Sequence, residues 1–362
     1  MMKKSFIATV LVACLIKPVS ASDLEIAFIN PGGSSGFWGN VAGTMSAAGT
    51  DLDVKVQVLN SDRDRFKMVE HAKDIAARAE KPDFVVLVNE LQQGPAILKE
   101  LYGTGIKTFF LLNKLTEEQE SSLGKARTGQ TSLLGSITPD NEIAGYEMAK
   151  SLIAKTRAAG ADKDGITMLA LTGDNATPAS LEREAGLKRA LNEYSDTKLV
   201  RSIPVQWDTN RAYERTKTFL ERDRIDAIWA ANDPISFGAQ KAAMEAGLMP
   251  GVDVMFAGLN WSKDALDAVK EGRMALTHGG HFFAGAWTVV LLRDYADGLD
   301  FADKTPDFTF PMSAVDSGNV DDFIKKLGGE DWEAIDFKVF SKSKSGVESY
   351  DFSSNAILSA VN

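Results

Sequence analysis

Short runs of apolar, β-prone residues alternate along most of this chain with longer stretches whose apolar positions recur at helical spacing. "LEIAFIN" (24–30) precedes a helical stretch beginning near Phe37. "VKVQVLN" (54–60) leads to a helix expected to open at the Ser61-Asp62 N-cap pair and run through "RFKMVEHAKDIAARAE". "DFVVLVN" (83–89) and "KTFFLLN" (107–113) continue the series, with a helix near "GPAILKELYGTG" between them. The runs are continuous rather than alternating, as parallel strands covered on both faces require.

The rhythm then repeats. "SLLGSI" (132–137) precedes a helix expected over 140–158, and "GITMLALTG" (165–173) precedes "PASLEREAGLKRALNEY". "LVRSIPVQW", "DAIWAAND", "VDVMFAGLN" and "MALTHGG" each precede a further helical stretch, the last being "FFAGAWTVVLLRDYADG". This order predicts an α/β protein of two Rossmann-like, three-layer αβα lobes. The last 50 or so residues break the pattern, and "SKSKSG" (341–346) reads as an exposed polar turn.

Ligands of open parallel sheets bind beyond the carboxyl ends of the strands. The residues at those exits are Asn30, Asn89, Asn113, Trp207, Asn232-Asp233 and Asn260-Trp261. Asparagine both donates and accepts, so a row of amides suits a hydroxyl-rich neutral ligand. Asn is also a common turn residue, but its return at five equivalent exits favours a pocket.

Composition narrows the field. The chain has 362 residues, 44% hydrophobic and 25% charged, enough for two cored domains. A net charge of −10 excludes the basic footprint of a nucleic-acid binder. Residues 1–22 read as a secretory signal: Lys3-Lys4, an apolar run from Phe6 to Ile16, and a small-residue site at Val19-Ser20-Ala21. That run falls short of the roughly 20 residues a membrane helix needs. The single cysteine, Cys14, lies inside it. "LVAC" resembles a lipobox, which would anchor the chain; the apolar Leu15-Ile16 beyond Cys14 and the later cleavage site favour cleavage after Ala21, secretion without an anchor and no thiol chemistry.

Several catalytic and nucleotide-binding signatures are missing from the sequence. The glycines of "NPGGSSGFWGN" (30–40) lack the dinucleotide spacing, and no lysine follows for a phosphate loop. No G-x-S-x-G elbow occurs, and no carboxylate pair stands out. Of three histidines, His71 reads as solvated helix surface, while His278 and His281 flank Gly279-Gly280 without an evident third metal ligand. No enzyme activity, cofactor or metal is expected.

Taken in order, several segments resemble the type I periplasmic substrate-binding proteins, the ribose/galactose-binding group that shares its fold with lactose-repressor-type regulators. These are "INPGGSSGFWGNV", "FFLLNKL", "ITPDNEIAGYEMAKSLI", "SLEREAGLKRAL", "AIWAANDPISFGAQKAA" and "MFAGLNW", spanning about residues 23–312. The resemblance implies two lobes joined by a three-strand hinge, with crossovers near Thr138, His281 and Met312. It divides the mature chain into an N-terminal lobe (23–137 plus 281–312) and a C-terminal lobe (138–280 plus part of 313–362, the rest an extended tail). By position it implies that Phe37 and Trp38 stack on a sugar-like ring. Asn89, Asn113 and Lys114 would bond hydroxyls from the first lobe, and Arg183, Trp207, Asn232 and Asn260 from the second, with His281 at the last crossover. Core packing is the competing reading for the aromatics, and a solvated helix charge for Arg183.

Two departures matter. Where pentose and hexose binders usually carry aspartates, this chain has Asn113 and Asn260; where they often carry Gln or Asn, it has Gly279-Gly280-His281. A deoxy or modified sugar, a polyol, or a weakly anionic ligand opposite Arg183 and Lys114 fits better than an ordinary aldose. The resemblance implies a monomer that captures such a ligand for an ABC importer in the membrane. The alternative is a ligand-sensing subunit of a sensor kinase, cyclase or chemoreceptor, since the tail beyond 312 is similar to extended segments of sensory relatives. A repressor is disfavoured by the signal peptide and by the lack of a helix-turn-helix before the first strand.

Overall fold

The computed structural model describes residues 24–161, 165–302 and 305–361; the signal segment and Cys14 lie outside the described residues. The first half of the chain runs β1 (Leu24–Asn30), α1 (Gly36–Asp51), β2 (Val54–Asn60), α2 (Arg65–Ala77), β3 (Phe84–Leu87), α3 (Gly94–Leu101), β4 (Lys107–Leu111), α4 (Glu117–Leu123) and β5 (Leu133–Pro139). The second runs α5 (Asn141–Thr156), β6 (Ile166–Thr172), α6 (Pro178–Leu191), β7 (Thr197–Pro204), α7 (Thr209–Leu220), β8 (Ala227–Ala230), α8 (Asp233–Glu245), β9 (Met255–Leu259), α9 (Lys263–Lys270) and β10 (Leu276–Gly279). After these come α10 (Ala284–Ala296), β11 (Asp307–Phe310), β12 (Ser313–Asp316), α11 (Val320–Leu327), α12 (Lys342–Ser345) and α13 (Ser354–Ala360).

Two six-stranded sheets result, ordered β11-β5-β4-β3-β1-β2 and β12-β10-β9-β8-β6-β7. The first is parallel throughout; in the second only the edge strand β12 runs antiparallel, against β10. The continuous apolar strands have the cause inferred from them. Ile26 and Phe28 of β1 join the core formed with α1, while Ala27 and Ile29 join the separate cluster of α2 and α3. In the second lobe α5 packs with α6 and α7 with α8. The chain passes between sheets three times: from β5 into α5, from β10 towards α10, and from β11 to β12.

Three local expectations are corrected. The helix after β2 is capped by Asp64, whose carboxylate accepts from Phe66 and Lys67 N–H, and not by Ser61-Asp62. Residues 61–63 are instead laid along the preceding loop, with Ser61, Asp62 and Arg63 N–H bonded to the carbonyls of Asn30, Gly32 and Pro31. His71 is half-buried, its Nε2 3.2 Å from the Asn60 carbonyl. The "SKSKSG" turn is an anchor: Ser341 is fully buried, and its hydroxyl donates to Asp294 at 2.6 Å. The Lys342 and Ser343 N–H groups donate to the same carboxylate. A carboxylate buried on α10 needs such donors, and the tail supplies them.

Close helix packing sets one functional side chain. A Cβ at Gly145 would stand 2.1 Å from the Arg183 carbonyl oxygen, and one at Gly186 2.0 Å from that of Glu142. Only glycines let α5 and α6 approach this closely, and their contact carries Arg183 inwards.

Candidate ligand-binding cleft

The carboxyl ends of both sheets face one another across a cavity with about 520 Å³ of space free of protein atoms, part of it open to solvent. From the first lobe it is lined by Phe37 and Trp38 at the start of α1, Arg63 after β2, Glu90 after β3, Leu112 and Asn113 after β4, and Pro139. The second lobe contributes Thr177, Ala179 and Arg183 around α6, Trp207 after β7, Asn232 after β8 and Asn260 after β9, with His281 after β10. The lobes touch: the Ala179 N–H donates to Asn113 Oδ1 at 3.1 Å, and Gln92 Nε2 donates to the Ala176 carbonyl at 3.4 Å. This is a closed arrangement.

Aromatic rings form much of the wall. Phe37 stacks on His281 with centroids 4.4 Å apart and meets Trp38 edge-on at 5.1 Å. Trp38 is seated against Gly32, where a Cβ would fall 2.2 Å from its ring. Trp207 lies against Gly173 in the same way and donates its indole N–H to Asp174 Oδ2 at 2.6 Å. Burial alone would push the Asp174 carboxyl up. Its bonds from Thr177, Ala176 and Trp207 outweigh that and hold it below the usual range.

The polar groups are fixed from behind. Arg183 donates Nε to Asn141 Oδ1 at 3.0 Å and Nη1 to the Ala231 carbonyl at 2.9 Å, with its guanidinium 5.9 Å from the Trp207 ring centre. Burial lowers its pKa to about 10, leaving it charged at neutral pH. Asn232 caps α8 through Oδ1, which accepts from Ile235 N–H at 2.9 Å, so its amide nitrogen is the end left for a ligand. His281 is buried, with Nδ1 unpartnered among the described residues. Burial, then Arg183 and His278, lower its pKa well below the ordinary value, so the ring is neutral.

Of the ten residues picked from the sequence, Phe37, Trp38, Asn113, Arg183, Trp207, Asn232, Asn260 and His281 line this cavity. Asn89 and Lys114 do not. Asn89 is wholly buried: its amide donates to the Lys114 carbonyl and Gln119 Oε1, both at 2.8 Å, and its Oδ1 accepts from Gly94 N–H. Lys114 turns to Asp307 on β11, at 3.2 Å, and borders a neighbouring groove instead. Asn30, another strand-end amide, is spent on the glycine loop, bonding Gly32, Gly33 and Asn60.

Sequence reasoning missed Arg63 and Glu90. Both follow strand exits, and the strand-end rule extended by one to three residues would have reached them. Glu90 is 7% exposed, and its Oε1 lies 3.5 Å from Arg63 Nη1. Burial pushes its carboxyl up to about 7, with Arg63 pulling it down and Asp174 pushing it up. Among the described residues no cluster of three His, Cys, Asp or Glu is placed to hold a metal, and no helix is long and apolar enough to cross a membrane.

Two sheets joined by three crossings, with a ligand-sized cavity between their carboxyl ends, define a two-lobed binding protein. Residues 26–300 match the family model described as a periplasmic binding protein domain, and the chain belongs to that family. It is 27% identical over 233 residues to the ribose import binding protein of Haemophilus influenzae, covering 63% of this chain and 70% of that one. It is 20% identical over 276 residues to the galactofuranose-binding protein of Escherichia coli K12, covering 75% and 82%. Among solved structures, a periplasmic sugar-binding protein from Pseudomonas fluorescens superposes with a TM-score of 0.83 and 32% identity, over 92% of this chain and 99% of that one.

Proposed function

We propose that this chain is a periplasmic solute-binding protein that captures a sugar or related polyol between its lobes and hands it to an ABC importer. The observation that carries the reading is the cavity itself. Three aromatic side chains meet three carboxamides and a buried guanidinium drawn from both lobes. Aromatic faces suit the C–H faces of a ring, and amides and guanidinium satisfy its hydroxyls. Because both lobes supply these groups, a ligand stabilises the closed form by its differential contacts. The three inter-sheet passages serve as the hinge, dividing the chain near residues 138, 281 and 312.

Thermal melts with D-ribose, D-galactose, xylitol and myo-inositol test the reading. At least one should raise the midpoint, since ligand at 100 times Kd adds about 2.7 kcal/mol. A flat response to all four, with nothing sugar-like in the mass spectrum of co-purified small molecules, would refute it. Transport, as opposed to capture, is tested by uptake of the bound sugar in cells with and without the gene.

A further inference from the structure

Among the described residues lining this cavity, Glu90 carries the only carboxyl group. Its side chain is 9% exposed, yet its nearest charge is Arg63 at 3.5 Å, beyond the roughly 2.7–2.9 Å of a close ionic hydrogen bond. No other hydrogen bond to this carboxylate is present among the described residues, although a carboxylate offers about four acceptor sites. A buried carboxyl so poorly partnered costs free energy unless something else supplies donors.

Its mounting is rigid. Asn89, immediately before it, is tied by three hydrogen bonds to the loops around it. Leu91 and Gln92, immediately after, take left-handed backbone angles, φ 48° and 59°. Leu91 is 38% exposed, and this left-handed turn follows directly on Glu90, which lines the cavity.

We propose that Glu90 is a specificity-determining residue: its carboxylate accepts hydrogen bonds from two adjacent hydroxyls of a neutral polyol, with Arg63 as counter-charge. The proposal rests on the sugar reading and deepens it. Glu90 supplies the acceptor-only group that Asn113 and Asn260, as amides, cannot. A cationic ligand is disfavoured because Arg63 and Arg183 both line the same space. Asp174, outside the cavity lining, is already occupied by Thr177, Ala176 and Trp207.

A proton is coupled to this contact. The charged and titratable groups around Glu90 are Arg63 after β2 and Asp174 after β6, with Arg183 of α6 and His281 after β10 on the same cavity wall. Burial keeps the carboxyl partly protonated near neutral pH. Donation from ligand hydroxyls favours the ionised form, so binding releases a proton.

The test is calorimetric titration of D-ribose, D-galactose, xylitol and myo-inositol into the full chain near pH 7, in two buffers of different ionisation enthalpy. For a sugar that binds, wild type should release a fraction of a proton. Glu90→Gln should bind at least tenfold more weakly with no proton release, while Glu90→Asp keeps the proton release at reduced affinity. Thermal melts verify that the variants fold. Unchanged affinity in Glu90→Gln, or buffer-independent binding in wild type, overturns the Glu90 proposal alone. A wild type that binds none of the four and carries nothing sugar-like among its co-purified small molecules overturns the sugar reading, and this proposal with it.

Discussion

The seat of Trp207 offers a perturbation that leaves every cavity-lining side chain in the sequence. Gly173 lies behind the indole, where a Cβ would stand 2.2 Å from Cζ2 and 2.3 Å from Cε2, against ordinary contacts of 3.4–4 Å. Gly173→Ala must therefore displace the ring by about 1 Å or more, away from residue 173 and towards the cavity it lines. The loop backbone has little room to absorb this, because Gln206 N–H is bonded to the Gly173 carbonyl at 2.8 Å. A ring shift of that size strains or breaks the 2.6 Å bond from the indole N–H to Asp174. Losing a hydrogen bond to a charged group costs about 1.5–3 kcal/mol of stability. For binding, displacing an aromatic anchor should cost about 2 kcal/mol, close to 30-fold in Kd. Titration of wild type and Gly173→Ala with a sugar that shifts the thermal midpoint measures this loss, and tryptophan fluorescence reports the ring's environment. A Kd within threefold of wild type, with unchanged fluorescence, would refute the argument that the space at Gly173 positions Trp207.

Arg183→Ala and Trp207→Ala should each weaken sugar binding by about 2 kcal/mol or more, measured by the same titrations. Arg183→Ala should also lower the melting midpoint, because Asn141 Oδ1 and the Ala231 carbonyl lose their donor. Lys114→Met should leave sugar affinity within twofold of wild type and cost at most about 1 kcal/mol in denaturant melts, since its pair with Asp307 is solvent-accessible and outside the cavity. Asp233 is buried, accepting from Thr277 Oγ1 and from Ser262, and burial raises its pKa to about 6. The folded state then holds more protons than the unfolded state between about pH 4 and 6, so this group's contribution to stability falls as pH rises through that window. Denaturant melts from pH 4 to 7 should show stability changing less favourably with rising pH in wild type than in Asp233→Asn; an identical pH dependence in both proteins would refute it.

The strand-end rule worked because it concerns backbone topology. In a doubly wound sheet every strand delivers its exit to the same edge, so Trp207 and three asparagines could be grouped before any contact was known, while Phe37 and Trp38 were reached through the family resemblance. It failed where neighbouring loops compete for the same polar atoms. Asn30 and Asn89 stand at equivalent exits, yet their amides are consumed by the Gly32-Gly33 loop and by Gly94, Lys114 and Gln119. Periodicity could not reveal that, since an amide serves a turn or a ligand with the same atoms.

What the residues determined by themselves was the αβ alternation, the double covering of both sheets and the edge at which a cleft must form. These follow from apolar patterning and connection rules that act locally. Which side chains face the cleft was decided by tertiary structure. Loop 61–63 brings Arg63 to the cavity by bonding across the loop that follows β1, the left-handed turn after Asn89 admits Glu90, and Asp307 draws Lys114 away. Each outcome depends on partners far apart in sequence, whose desolvation and hydrogen bonding are settled only when the strands are in register.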